Sequence, residues 1–406
     1  MPVLSLSGSM ISPMLGIVTA LGITQIISWG AIFYAISVLA APIAADTGWS
    51  GTVVYGGFSI TLLAGGLIAR PVGRFIDRHG GRVTMTIGSG LAALGLALLG
   101  LAPNPVVYLA AWALIGVASR YTLYDAAFAT LVEVAGHGAR RAISGLTLFG
   151  GLASTVFWPL THALEVAFGW RATLLGFAVS VLVVCGALHW LVLPAKAEAA
   201  AGTVATASGG PTDPEPLIPP ARRRFAMALL ALALALNSFV FTALSVHMIP
   251  VFVGLGFAAG AVVWIASLKG VFQTVGRLIE LLFGQRIAPT SLGVIATGFL
   301  PLAFLALVPF GLSQAALIAF AVFYGLSNGL VTIVRGGLPL VLFGRAGYAS
   351  LLATIAAPGL ILTAAAPTVF AALVSATGPM VGLGLLFVLS LVSFAATVVL
   401  ARADFR

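Results

Sequence analysis

Charged positions divide this chain into long, uninterrupted apolar runs. No Asp, Glu, Lys or Arg stands between Arg224 and Lys269, between Arg286 and Arg335, or between Arg345 and Arg402. Each gap is too long for one bilayer-crossing helix of about 20 residues and fits two joined by a short polar turn. Turn signals at Thr47-Gly48-Trp49-Ser50, Pro103-Asn104-Pro105 and Phe168-Gly169-Trp170 mark further breaks. The pattern predicts helical spans over 12–40, 51–70, 84–102, 106–134, 143–166 and 172–193 in the first half. In the second half it predicts 225–253, 259–284, 290–310, 314–338, 348–372 and 379–402.

Composition sets what surrounds these helices. Of 406 residues, 61% are hydrophobic and 7% charged, and the mean hydropathy is +1.16. A water-facing surface needs about 25% charged residues, so lipid is expected to cover most of this chain. The pI near 10.4 does not indicate nucleic acid, because the basic residues sit in short gaps between apolar runs and not on one folded face. Arg70, Arg74, Arg78, Arg82, Arg140, Arg141, Lys196, Arg222, Arg223, Arg224, Arg286 and Arg345 fall in even-to-odd gaps, whereas Arg171 alone falls in an odd-to-even gap. That asymmetry places both termini in the cytoplasm of a bacterial-type inner (plasma) membrane. No Lys or Arg precedes Arg70, so the first run is expected to remain as a span and not to be cleaved as a signal peptide. The one cysteine, Cys185, excludes an internal disulfide framework and a multi-thiolate metal site. No cofactor is expected.

Residues 194–224 differ from the rest. They are rich in Ala, Gly, Pro, Ser and Thr, include Gly209-Gly210-Pro211-Thr212-Asp213-Pro214-Glu215-Pro216, and read as a flexible cytoplasmic linker. They separate a six-helix half over 1–193 from another over 225–406. The halves align weakly, with the run from Gly116 matching the run from Gly325.

Between the second and third spans stands Gly73-Arg74-Phe75-Ile76-Asp77-Arg78-His79-Gly80-Gly81-Arg82. Gly73 permits close helix approach, Asp77 can accept N–H bonds at a helix start, and Gly80 or Gly81 supplies a tight turn. The stretch resembles the loop signature of the major facilitator superfamily, G-x-x-x-D-R-x-G-R-[RK]; Gly169-Trp170-Arg171 is similar to the G-W-R turn of that superfamily. The loop departs from the pattern at Gly81, where the family carries a basic residue and Arg82 is the substitute. The resemblance implies an all-α membrane protein with twelve transmembrane helices, in two six-helix bundles related by a pseudo-two-fold axis. It also implies a conformational latch of Gly73, Asp77, Arg78, Gly80 and Arg82 with Glu133, the acid at the cytoplasmic end of the fourth span.

Ionised side chains inside a span are costly and face a cavity or a partner. Six occur here: Arg120, Asp125, Lys269, Arg277, Glu280 and Arg335. The planar fork of Arg277 suits a carboxylate, and a central Arg in the eighth span resembles the monocarboxylate and oxalate transporter branch, implying substrate contact. The alternative is an ion pair with Glu280 or Asp125. Asp125 is a candidate for proton coupling, or else a permanent partner of Arg120 or Arg335, and Arg120 could itself bind an anion. Lys269 and Glu280 read as structural partners, and Arg335 as snorkelling to the interface. Polar candidates for orienting substrate are Gln25, Trp29, Tyr34, Tyr124, Asn237, His247, Gln273, Tyr324 and Asn328.

These residues point to a secondary active transporter, working as a monomer in the bilayer, that moves a small-molecule substrate. An organic anion is the expected cargo, moved by alternating access with protons as the candidate coupling ion. Efflux of drugs or toxic compounds by the same architecture is the alternative. A membrane-embedded enzyme or sensor is more remote, since H-E-x-x-H is absent and the linker is too short and polar for a signalling domain.

Overall fold

The computed structural model describes residues 8–196, 217–307 and 313–402. Most of the linker and the end of the ninth span therefore lie outside the described residues. Among the described residues there is no strand, and every predicted span is helical.

The first span is α1 (Gly8–Trp29), a π turn (Gly30–Tyr34) and α2 (Ala35–Thr47). The 50-residue α3 (Gly51–Gly100) would run roughly 75 Å if straight, against about 30 Å of hydrocarbon. It holds two spans and reverses at Gly80, whose φ is 75° and ψ 176°. The fourth span is α4 (Pro105–Thr122) and α5 (Tyr124–Ala135), broken at Leu123. Next comes α6 (Ala139–Ser180), which reverses at Gly169 and passes through a second π turn (Val181–Cys185) into α7 (Gly186–Val192). The second half contains α8 (Arg223–Gly254), α9 (Ala259–Phe283), α10 (Pro289–Leu305), α11 (Gln314–Phe343), α12 (Tyr348–Thr377) and α13 (Pro379–Arg402).

Helix starts carry their own signals. Ser50 Oγ accepts from Val53 N–H, Asn104 Oδ1 from Val107 N–H at 3.0 Å, and Ser313 Oγ from Ala316 N–H at 3.2 Å. Each satisfies an orphan donor of a first turn. Outward faces are apolar, as at Leu67, which is 82% exposed, a surface that only lipid can cover.

Packing divides the chain into two units. Described residues up to 196 form one, joined by Gly347–Ala353; the other described residues form the second. The first is built around Leu39, Leu96, Tyr108, Trp112 and Ile115, and the second around Leu244, Phe252, Phe304, Phe320 and Phe370.

Candidate functional site

The signature loop is built on the reversal at Gly80, where φ of +75° favours a residue without a Cβ. The reversal sets the Gly81 N–H to donate to Glu133 Oε2 at 3.3 Å. A Cβ on Gly81 would overlap Thr130 Oγ1. Any side chain there would require Thr130 to shift. Arg82 follows instead, its Nε donating to the Leu193 carbonyl.

Asp77 turns elsewhere. Its carboxylate accepts from the N–H groups of Ala349 and Ser350, at 3.0 and 2.9 Å, and from the Ser350 hydroxyl. These are first-turn amides of α12, where a negative charge is favoured both by hydrogen bonding and by the helix dipole. Gly73 makes room for this, since a Cβ there would lie 2.6 Å from the Ala349 carbonyl oxygen. Lys196 Nζ donates to the backbone carbonyl of Asp77, while Arg78 is exposed. The loop therefore makes two clasps, Glu133 on Gly81 and Asp77 on α12, with Lys196 charged beside both.

The fourth span breaks where its charges stand. Arg120 occupies the last turn of α4 and Asp125 the first turn of α5, so each charge complements the dipole of its own helix. Across the break Arg120 Nη1 lies 2.6 Å from Asp125 Oδ2. The Ala126 N–H, which would serve the Thr122 carbonyl in an unbroken helix, goes to Leu123 at 3.1 Å. Gln25 of α1 takes its place, donating from Nε2 to the Thr122 carbonyl at 2.7 Å. Gln25 Oε1 in turn accepts from Trp29 Nε1 at 3.2 Å. The Trp29 ring lies 5.2 Å from Tyr124 and 6.5 Å from Tyr34, and Tyr124 stacks on Phe128. The first unit thus brings Gln25, Tyr34, Arg120, Tyr124 and Asp125 to one neighbourhood: a half-buried aromatic wall beside an ion pair.

In the second unit, Lys269, Gln273 and Arg277 stand one turn apart on one face of α9. Each meets a residue of α11. Lys269 Nζ is 5.4 Å from the centre of the Tyr324 ring, Asn328 Nδ2 donates to Gln273 Oε1 at 2.9 Å, and Arg277 Nη2 donates to Thr332 Oγ1 at 3.3 Å. Glycines allow the approach: a Cβ at Gly325 would lie 2.5 Å from the Lys269 carbonyl oxygen, and one at Gly329 would overlap that of Gln273. Arg277 and Glu280 are buried. On α8, Asn237 is 1% exposed, and neither polar atom of its amide has a hydrogen-bond partner among the described residues. The other polar candidates serve packing. Tyr324 donates its hydroxyl to the Phe241 carbonyl at 3.0 Å, and His247 Nε2 lies 2.9 Å from the Pro367 carbonyl oxygen.

One feature escapes a reading of the sequence, and the structure settles the role of one short motif within it. His189 of α7 is 1% exposed, with Nδ1 2.9 Å from Ser89 Oγ and Nε2 3.0 Å from Thr24 Oγ1, tying α7 to α3 and α1. Its only signal is a lone histidine in an apolar run. Gly325-Leu326-Ser327-Asn328-Gly329 spells G-x-S-x-G, the letters of a hydrolase nucleophile turn. It lies inside α11, however, and Ser327 is fully buried, donating to the Ala296 carbonyl at 2.6 Å. A nucleophile turn needs an exposed serine between strand and helix; this one is helix packing.

The family model of the Major Facilitator Superfamily matches residues 21–356. A search of curated proteins finds no match. Among solved structures, the fold is similar to that of the human organic anion transporter MFSD10, with TM-score 0.73 and 17% identity over 95% of this chain and 99% of that one. It is similar to the proton:xylose symporter XylE, with TM-score 0.70 and 14% identity over 97% and 96%. The Escherichia coli fucose:proton symporter FucP gives TM-score 0.65 and 15% identity over 95% and 98%.

Proposed function

The chain belongs to the major facilitator superfamily, and from that premise we propose that it moves a small organic anion across an inner (plasma) membrane by alternating access. Secondary transport comes with the family; the cargo is read from the residues. The observation that carries it is Arg277, a guanidinium only 4% exposed in the middle of a span, with Gln273, Asn328 and Thr332 beside it. Burying such a charge is costly unless something negative or strongly polar meets it, and its fork fits a carboxylate. Asn237, with open donors and an open acceptor, is assigned to orient the same solute.

Asp125 is assigned the coupling proton. Protonation would remove the charge facing Arg120 across 2.6 Å and give the broken span two states. Gly73, Asp77, Gly80, Arg82 and Glu133, with Arg78 at the exposed rim, are assigned to hold one access state. The moving bodies are the halves 1–193 and 225–406, with both termini cytoplasmic.

Counterflow of labelled carboxylates in proteoliposomes tests the cargo. Arg277→Lys is expected to lower the rate at least tenfold, the loss of a charge-assisted fork. Wild-type rates in that variant would remove Arg277 from the site, and no carboxylate counterflow in the wild type would remove the cargo. The aromatic wall of Trp29, Tyr34 and Tyr124 favours a second reading, efflux of flat apolar compounds. Substrate-dependent fluorescence quenching driven by a proton gradient, without carboxylate counterflow, would support it.

A further inference from the structure

Within the helices of the second unit the described cations outnumber the described acids. Its described residues include one acidic side chain, Glu280, while Lys269, Arg277 and Arg335 all lie within helices. Of these cations, Lys269 is the most telling. It is the eleventh residue of α9, about 15 Å along the axis from Ala259, half the depth of a bilayer core of about 30 Å. Its stem is too deep to deliver the ammonium to the interface. No carboxylate pairs with it among the described residues. What it has is the Tyr324 ring at 5.4 Å and the Ser245 hydroxyl at 3.5 Å, the long limit of a hydrogen bond.

Packing does not require a lysine there. In the first unit a Cβ on Gly116 would lie 2.5 Å from the Thr61 carbonyl oxygen, just as one on Gly325 would lie 2.5 Å from that of Lys269. The same glycine-to-carbonyl approach is thus made in the first unit by a small neutral residue, Thr61, whose hydroxyl donates to the Trp112 carbonyl at 2.8 Å. Lys269 is itself half-buried and Ser245 exposed, so the hydroxyl that the ammonium reaches lies at the edge of the unit. Asn237, Phe241 and Ser245 follow one another at one-turn intervals on one face of α8. That face therefore places a hydroxyl beside Lys269 and, about 12 Å farther along the helix, the unpartnered amide of Asn237.

We infer that Lys269 and Ser245 form an oxyanion-recognition site of the second unit, taking a carboxylate of the transported solute at a level of α9 separate from Arg277. The inference rests on the organic-anion reading and sharpens it: Lys269 supplies the charge, Ser245 a donor, and the Tyr324 ring faces the ammonium from α11.

The full-length wild-type protein and its variants, purified in detergent, test this by thermal stabilisation with sodium acetate, oxalate, succinate and benzoate. Sodium chloride at equal ionic strength is the control. Lys269→Gln is expected to raise the half-stabilising carboxylate concentration about tenfold, and Lys269→Arg to stay within about threefold of wild type, since one charge-assisted contact is lost in the first and kept in the second. Equal half-stabilising concentrations in wild type and Lys269→Gln overturn the site while leaving the anion reading intact. No stabilisation of the wild type beyond chloride overturns both. Should Lys269→Gln not purify folded, Ser245→Leu crowds the ammonium without changing charge. A roughly tenfold weakening in it supports the site, and wild-type affinity overturns it.

Discussion

The seam of α3 with α4 in the first unit and the seam of α9 with α11 in the second use one packing device and then diverge in charge. Both are closed by glycines that let a helix meet a neighbouring carbonyl, Gly116 at Thr61 and Gly325 at Lys269. In the first, the cation at the end of α4, Arg120, meets Asp125 at 2.6 Å across a helix break, and the freed carbonyl is satisfied by Gln25. In the second, a lysine, an amide pair and an arginine run along the seam, with Glu280 the one described acid of the unit. Equivalent backbone geometry with a different charge balance teaches that packing does not dictate the cations of the second seam. A compensated seam is suited to switching, because one proton changes it. A seam holding a lysine with no carboxylate paired to it among the described residues is suited to receiving a negative solute.

The comparison breaks most visibly at Asp125. Asp125→Asn removes the carboxylate from a buried guanidinium and is expected to cost about 3 kcal/mol of stability, with the Arg120→Met, Asp125→Leu pair recovering most of it. Chemical denaturation in micelles measures both, and an unchanged midpoint for Asp125→Asn would show that the first seam is not held by its ion pair. Next in size is Gly329→Ala, whose Cβ must displace the Gln273 carbonyl; about 2 kcal/mol is expected from overpacking. Gly90→Ala, with nothing within 4 Å, should stay within about 0.5 kcal/mol and serves as its control. A Gly329→Ala protein as stable as Gly90→Ala would mean the seam is loose. Smaller still is Asp77→Asn, which weakens a carboxylate capping α12 by about 1 kcal/mol. It is read best as altered labelling of single cysteines placed at positions 78 and 140, because the native Cys185 is buried. Unchanged labelling would separate the loop from the access equilibrium.

The twelve spans were legible because lipid leaves a simple signature: apolar runs of bilayer length with charges confined to the gaps. One residue of the signature loop was legible for a local reason, since the reversal at Gly80 demands a positive φ. The partners were not. Leu123 breaks a helix with no Gly or Pro beside it, and the group that repairs the break, Gln25, lies 97 residues away. Asp77 meets Ser350 across 273 residues, so no local pattern could announce that it caps α12 while Glu133 takes Gly81. Arg120 was one of the partners the sequence offered Asp125, and their positions on either side of the break choose it over Arg335. Lys269 was open to the reading of a structural partner because a sequence shows a cation without showing which acids can reach it.

Equilibrium binding of radiolabelled benzoate to the purified protein tests the contrast between the seams most directly. The account predicts that Arg277→Gln weakens binding at least tenfold, whereas the double variant Arg120→Gln, Asp125→Asn stays within about threefold of wild type. Equal losses in both, or a loss confined to the first unit, would contradict it.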